Sequence, residues 1–420
     1  MMPLLDRRSW LQGISSLGLA SFCSSSEKLF AKETSAIHGA SKKKVAAVVT
    51  IYRKFSHADV LLGKILKGWE QTGNSGPKLE LVSLYVDQFP SDDLSVGLAK
   101  EHGFRLCKTI REALTMGSDS LAVDGVLSIG EHGDYPWNDL GQHLYPRRRF
   151  FEEITATMES CQQTVPVFND KHPGPVWEDA LWMYERAKQL SLPWMAGSSL
   201  PVSYREPEIE LPMGVAIESA VGIGYSGLDI YGIHTLEFLQ SLLERRKSAE
   251  QGVKNVQALP LTQLRSWLDQ HPGKRDLVEK GLQSAKTDLV TILQAPTEEG
   301  ALFLVDYVDG LQVPIVMASG HAKGIAAAVK STDGQVWATR VEEREQPYYP
   351  HFAFLLKAIE TMVHTGKPSY PVERTLLTSG VLDRLLRSKH QGHIPLATPE
   401  LRIAYQPVDY PHAPRPQLGP

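Results

Sequence analysis

Cysteine is scarce in this 420-residue chain, which holds three: Cys23, Cys107 and Cys161. Three thiols can build neither a disulfide framework nor a four-thiolate zinc site. Long apolar runs are missing as well. The stretch from Gly13 to Phe22 is about ten residues, rich in Ser and Gly, against the roughly 20 that a membrane-spanning helix needs. Nor is there an excess of basic charge: 44 Lys and Arg against 48 Asp and Glu leave a net charge of −4. That balance offers no electrostatic footprint for nucleic acid. What remains is ordinary globular composition, 42% hydrophobic and 22% charged, which excludes a disordered or collagen-like chain. The length suits two domains, or three small ones.

The first 31 residues read as an address. Arg7-Arg8 precede Trp10-Leu11 and the short apolar stretch, a pattern that resembles a twin-arginine export signal with cleavage near Ala31. It implies a periplasmic protein that folds before crossing the membrane. A plain basic N-terminus is the alternative. Cys23 invites a lipid anchor, although Phe22 stands where a lipobox wants a small residue. Once the signal is removed, Cys107 and Cys161 allow at most one disulfide.

Beyond the polar linker, β-branched runs alternate with amphipathic segments. Strands are expected at Val45–Ile51, Leu79–Val86, Leu121–Ile129, Val165–Phe168 and Pro193–Ala196. Helices are expected at Ala58–Gln71, Ser95–His102, Thr109–Thr115, Arg148–Ser160 and Trp177–Leu190. This alternation predicts an α/β, doubly wound parallel sheet of Rossmann type over residues 43–205. The second part, residues 206–365, reads as an α+β domain with an open, mostly antiparallel sheet: Gly214–Val221, Ala301–Val308, Val313–Ala318 and Val336–Thr339 read as strands. Helices are expected at His234–Arg246, Leu277–Ser284, Phe352–Val363 and Thr375–Ser388. Residues 366–420 are expected to form a returning helix and a tail that is extended from Tyr405 onward.

Three short motifs, in order, carry a resemblance. Asn169-Asp170-Lys171-His172-Pro173 follows the fifth strand, where the Gfo/Idh/MocA sugar dehydrogenases carry Glu-Lys-Pro. Gly232-Ile233-His234-Thr235-Leu236-Glu237 is similar to the family's Gly-x-His-x-x-Asp. His351–Gly366, followed by Pro368 and Pro371, resembles its returning helix and turn. The resemblance covers roughly Lys43 to Tyr405. It implies a Rossmann domain, NAD or NADP as cofactor, a sugar or polyol as substrate, and a homo-oligomer built on the open sheet. It also implies that Lys171 holds the substrate hydroxyl, that His234 is the general base, and that Glu237 lies on the same helix face. Asp229 is offset by one from the family's acidic position.

The sequence departs from that family where the dinucleotide would sit. The family's Gly-x-Gly-x-x-Gly lets backbone approach a pyrophosphate. Here the turn reads Thr50-Ile51-Tyr52-Arg53-Lys54-Phe55-Ser56-His57, without glycine. Arg53 and Lys54 are the candidate phosphate partners, and Asp87, ending the second strand, is the candidate for a ribose hydroxyl.

Gly130-Glu131-His132-Gly133-Asp134-Tyr135 places two acids and an imidazole in four residues between glycines. Glu131, His132 and Asp134 are candidate ligands for a divalent metal, with His143, Asp170 or His172 completing the shell. Equally, Glu131, His132, Asp134, Tyr135, Asp170 and His172 could bind sugar hydroxyls. Arg147-Arg148-Arg149 reads as a solvated helix start, and Ser198-Ser199 as a hinge lining the cleft. Three functions stay open: an exported oxidoreductase, a dinucleotide-free lyase, epimerase or hydrolase, and a non-catalytic carbohydrate binder.

Overall fold

The computed structural model describes residues 39–73 and 75–414. The export motif, Cys23 and the last six residues of the tail lie outside the described residues. The first sheet has six parallel strands in the order β3-β2-β1-β4-β5-β6: β1 Lys43–Val49, β2 Leu79–Val86, β3 Arg105–Cys107, β4 Gly125–Ile129, β5 Val167–Asp170 and β6 Trp194–Gly197. Helices α1 His57–Lys67, α2 Ser95–His102, α3 Ile110–Thr115, α4 Arg147–Ser160 and α5 Trp177–Gln189 connect them. Strand β1 is buried from Val45 to Val49, as expected of a central strand covered on both faces. Strand order reverses between β1 and β4, and the crevice beyond their C-terminal ends is where doubly wound sheets hold ligands.

The second sheet has eight strands: β7 Tyr204–Glu206, β8 Ile217–Gly224, β9 Val253–Pro260, β10 Ala301–Tyr307, β11 Gln312–Met317, β12 Ala326–Ser331, β13 Val336–Glu342 and β14 Leu396–Ala397. Their order is β14-β9-β10-β11-β8-β12-β13-β7. Among the described residues, β8 and β11 are the only strands of this sheet that pair in parallel. The remaining helices are α6 Ile230–Leu243, α7 Leu264–Gln270, α8 Arg275–Ser284, α9 Leu289–Gln294, α10 His351–Thr365 and α11 Glu373–His390. Leu236, Phe238 and Leu239 of α6 pack with Leu376, Leu382 and Leu385 of α11 on one face of this sheet. Val278 and Leu282 of α8 pack on the other.

Helix α10 crosses back: Leu355, Leu356, Ile359 and Met362 join the core of the first sheet. Sequence order assigned that helix to the second domain, yet its apolar stripe is buried against α1 and β2. Cys107 and Cys161 are free thiols, so the disulfide they could have formed is absent among the described residues. No helix among them is long and apolar enough to cross a membrane.

Candidate active site

A cavity of about 420 Å³ lies at the C-terminal ends of the first sheet, between the first turns of α1, α6 and α10. Lys171, Glu131, His132, His57, His234 and Tyr231 line it. Lys171 follows β5 directly and adopts a left-handed backbone (φ 60°), its N–H donating to Gly197 O at 3.1 Å. That reversal sends the adjacent side chains of Asp170 and Lys171 to different partners.

Lys171 Nζ donates to Glu131 Oε1 at 2.6 Å, and Arg147 Nη2 donates to Oε2, also at 2.6 Å. All three side chains are buried. Burial alone would raise the Glu131 carboxyl, but Lys171 and Arg147 outweigh it and hold the group well below the usual carboxylate range. Arg147 is pinned further by Gly130 O at 2.9 Å and the His172 ring at 3.3 Å. Burial, then Arg147 and Lys171, push the His172 imidazolium well down, so this ring is neutral and accepts. The Arg147–Arg149 run is therefore no solvated helix start. Arg147 is a core residue, Arg148 lies over the Trp182 ring, and Arg149 binds Asp87.

His234 sits in the second turn of α6, not at its start. Its Nδ1 is 2.5 Å from Ser198 Oγ, and burial followed by the Lys171 charge keeps the ring neutral. Glu237 does not reach the cavity. Its carboxylate accepts from Ser198 N and Thr375 Oγ1, so it positions the residue that holds His234. Burial pushes that carboxyl up to about 7, against the pull of those two donors. Asp229 accepts from His143 N at 3.0 Å, while its Oδ1 has no partner among the described residues; burial pushes it up to about 6.

His57 opens α1, and its Nδ1 lies 2.7 Å from Asp170 Oδ2. Its ring meets the His132 ring edge-on at 5.4 Å and that of Phe352 at 5.1 Å. His132 is driven down to about 4, by burial and then by His57. Asp134 points elsewhere: it is exposed, and its backbone is clamped by the Gln88 amide at 2.8 and 2.9 Å. Tyr135 donates to Asp87 at 2.7 Å and lies outside the cavity lining. The expected metal set of Glu131, His132 and Asp134 therefore does not converge. Glu131 gives both oxygens to cations, and no group of three or more His, Cys, Asp or Glu among the described residues is placed to hold a metal ion.

The residues around the β1–α1 turn do not fit a dinucleotide pyrophosphate. Arg53 and Lys54 are exposed, and Tyr52 is buried beneath them. Ser56 caps α1 by accepting from Asp59 N, and the Asp59 carboxylate accepts from Phe55 N at 2.8 Å. The Phe55 amide in the turn where a phosphate would sit thus faces an acid of the chain itself. The segment before α10 closes over this turn: Tyr348 donates its hydroxyl to Asp59, Lys64 Nζ holds Tyr348 O at 2.7 Å, and the Phe55 and Tyr348 rings lie 5.8 Å apart. Asp87 already accepts from Tyr85 and Tyr135 at 2.7 Å and from Arg149 at 2.5 Å. Ser56-x-x-Asp59 is a capping signature that the sequence displays. Tyr348 and the Asp170 partner of His57 left no local signal.

No family model matches this sequence, and no curated protein does. Solved structures do match its fold. GenD2 from gentamicin A biosynthesis, in complex with NAD, superposes with a TM-score of 0.55 at 15% identity, over 85% of this chain and 97% of its own. A putative myo-inositol dehydrogenase from Sinorhizobium meliloti matches at 0.52 and 13% identity, over 85% and 99%. Scyllo-inositol dehydrogenase from Lactobacillus casei, with bound NAD(H) and scyllo-inositol, matches at 0.52 and 12%, over 85% and 99%. The chain carries the two-domain fold of the sugar and inositol dehydrogenases, as the Gfo/Idh/MocA resemblance implied.

Proposed function

We propose that this protein acts on a sugar or polyol in the cavity between its domains, by proton transfer at His234 beside the Lys171 cation and without a resident dinucleotide. The observation that carries this reading is that Lys171 and His234 line one cavity, each held by a buried partner, while the phosphate-binding turn is closed by the chain's own side chains. The polyol substrates of the structural neighbours support the substrate class.

As a base, His234 carries its proton on Nδ1 and donates to Ser198 Oγ, which also accepts from Leu200 N at 3.1 Å. Nε2 is then the lone pair that takes a substrate proton. Lys171, a cation beside Glu131, orients a hydroxyl or carbonyl oxygen and stabilises charge that develops on it. We place the protein in the periplasm on the strength of the Arg7-Arg8 motif.

Saturation-transfer NMR with myo-inositol and a panel of monosaccharides, run beside an NADH fluorescence titration, tests this reading. Polyol or sugar signals are expected with wild type and weakened signals with Lys171→Ala, while NADH fluorescence stays unchanged. Stoichiometric NADH binding would overturn the dinucleotide-free assignment and return the hydride-transfer oxidoreductase to the front.

A further inference from the structure

Of the four histidines that line the cavity, two have a ring nitrogen held by a side chain of another element: His234 by Ser198, and His57 by Asp170. They come from different domains. His57 opens α1 of the first, and His234 stands in α6 of the second. Asp170 is buried and acceptor-only when ionised, so its partner Nδ1 must carry the proton. A carboxylate that fixes one imidazole tautomer leaves Nε2 as the working atom and stabilises the imidazolium when it forms. The His132 and Phe352 rings pack edge-on against the His57 ring. In a dinucleotide enzyme this helix start would face phosphate; here it presents an acid–base group.

We propose that His57, oriented by Asp170, is a second catalytic acid–base residue, working with His234 on a carbonyl-bearing sugar. This rests on the proton-transfer reading above and extends it to the substrate class. Without a hydride acceptor, chemistry at a sugar carbon needs a C–H bond acidified by an adjacent carbonyl. One neutral imidazole takes that proton at Nε2, and the electron pair of the broken C–H bond moves onto the carbonyl oxygen beside Lys171. The other imidazole, starting protonated, delivers its proton to the same carbon as the carbonyl re-forms. One ring gains a proton and the other loses one, so the step is an epimerisation that needs no oxidant or reductant.

Two measurements test it. In D2O, the protein should exchange the α-protons of D-fructose, followed by proton NMR. His57→Asn and His57→Gln should lower the exchange rate at least 100-fold while fructose still binds by saturation transfer. Asp170→Asn should lower it about tenfold. With histidine-selective 15N labelling, one strongly downfield Nδ1–H signal should vanish in both His57→Asn and Asp170→Asn, which reports the His57–Asp170 hydrogen bond, while lost exchange with retained binding separates catalysis from a structural role. Unchanged exchange in both folded His57 variants, with exchange lost in His234→Ala, would overturn the dyad and leave the proposed function standing. Binding without any exchange in wild type would overturn the carbonyl-sugar assignment. Failure of every sugar and polyol to bind would overturn both.

Discussion

The hydroxyl of Ser198 lies 2.5 Å from Nδ1 of His234, and the backbone N–H of the same serine is held by the Glu237 carboxylate one helical turn beyond that histidine. His234 is thus fixed through a strand-end loop that follows β6. Ser198→Ala should leave ligand affinity near wild type and lower turnover by at least about tenfold, within the 10²–10⁴ range ascribed to general acid–base catalysis. Steady-state kinetics that show a raised KM with unchanged kcat would refute this role.

Glu131 is the only acid among the described residues that bridges Lys171 and Arg147. Glu131→Gln strands two buried cations and should destabilise the fold by roughly 3–5 kcal/mol, as breaking a buried pair does. Equilibrium urea unfolding checks it, with the midpoint moving at constant slope. A loss below about 1 kcal/mol would mean the triad is better solvated than its burial suggests.

Gly197 has φ 132°, and a Cβ there would stand 2.8 Å from Thr375 Oγ1 and 2.9 Å from Glu237 Oε2. Backbone strain and overpacking then add, each worth about 1–3 kcal/mol. Gly197→Ala should lower the melting temperature and, by displacing Glu237, lower activity in whatever fraction remains folded. Thermal denaturation at matched concentration reads the first effect.

Burial raises the Asp229 carboxyl from 3.8 to about 6 in the folded protein. Because the unfolded chain loses this proton first, stability falls as pH rises through that window and the full cost is present above it. Below the ordinary carboxylate pKa both states are protonated and the group contributes nothing. Asp229→Asn keeps an oxygen for His143 N–H and should stabilise the protein at pH 7 by on the order of 2–3 kcal/mol, with little effect near pH 3.5. Urea midpoints of wild type and variant across pH 3.5–7.5 test the sign: a gap that widens on acidification would contradict it.

Periodicity placed β2 at Leu79–Val86 and α2 at Ser95–His102, the bounds the structure shows. It missed β12, because Ala326-Ala327-Ala328 carries little β preference of its own and becomes a strand only between β8 and β13. It missed β9 as well, and placed β8 several residues early. Short strands in a mixed sheet are chosen by their neighbours, which lie far off in the chain.

The local pattern of apolar and polar residues was sufficient for the two-domain fold, for Lys171 at a strand end and for His234 on a helix. Such positions follow from nearest-neighbour backbone preference and the alternation of buried faces. Which of Arg147, Arg148 and Arg149 is buried, whether Glu131 meets a metal or two cations, and that His57 finds Asp170 113 residues away were decided only in the folded molecule. Those outcomes depend on desolvation and on partners brought within hydrogen-bond distance by the crossing of distant elements, and neither is written in the spacing of residues along the chain.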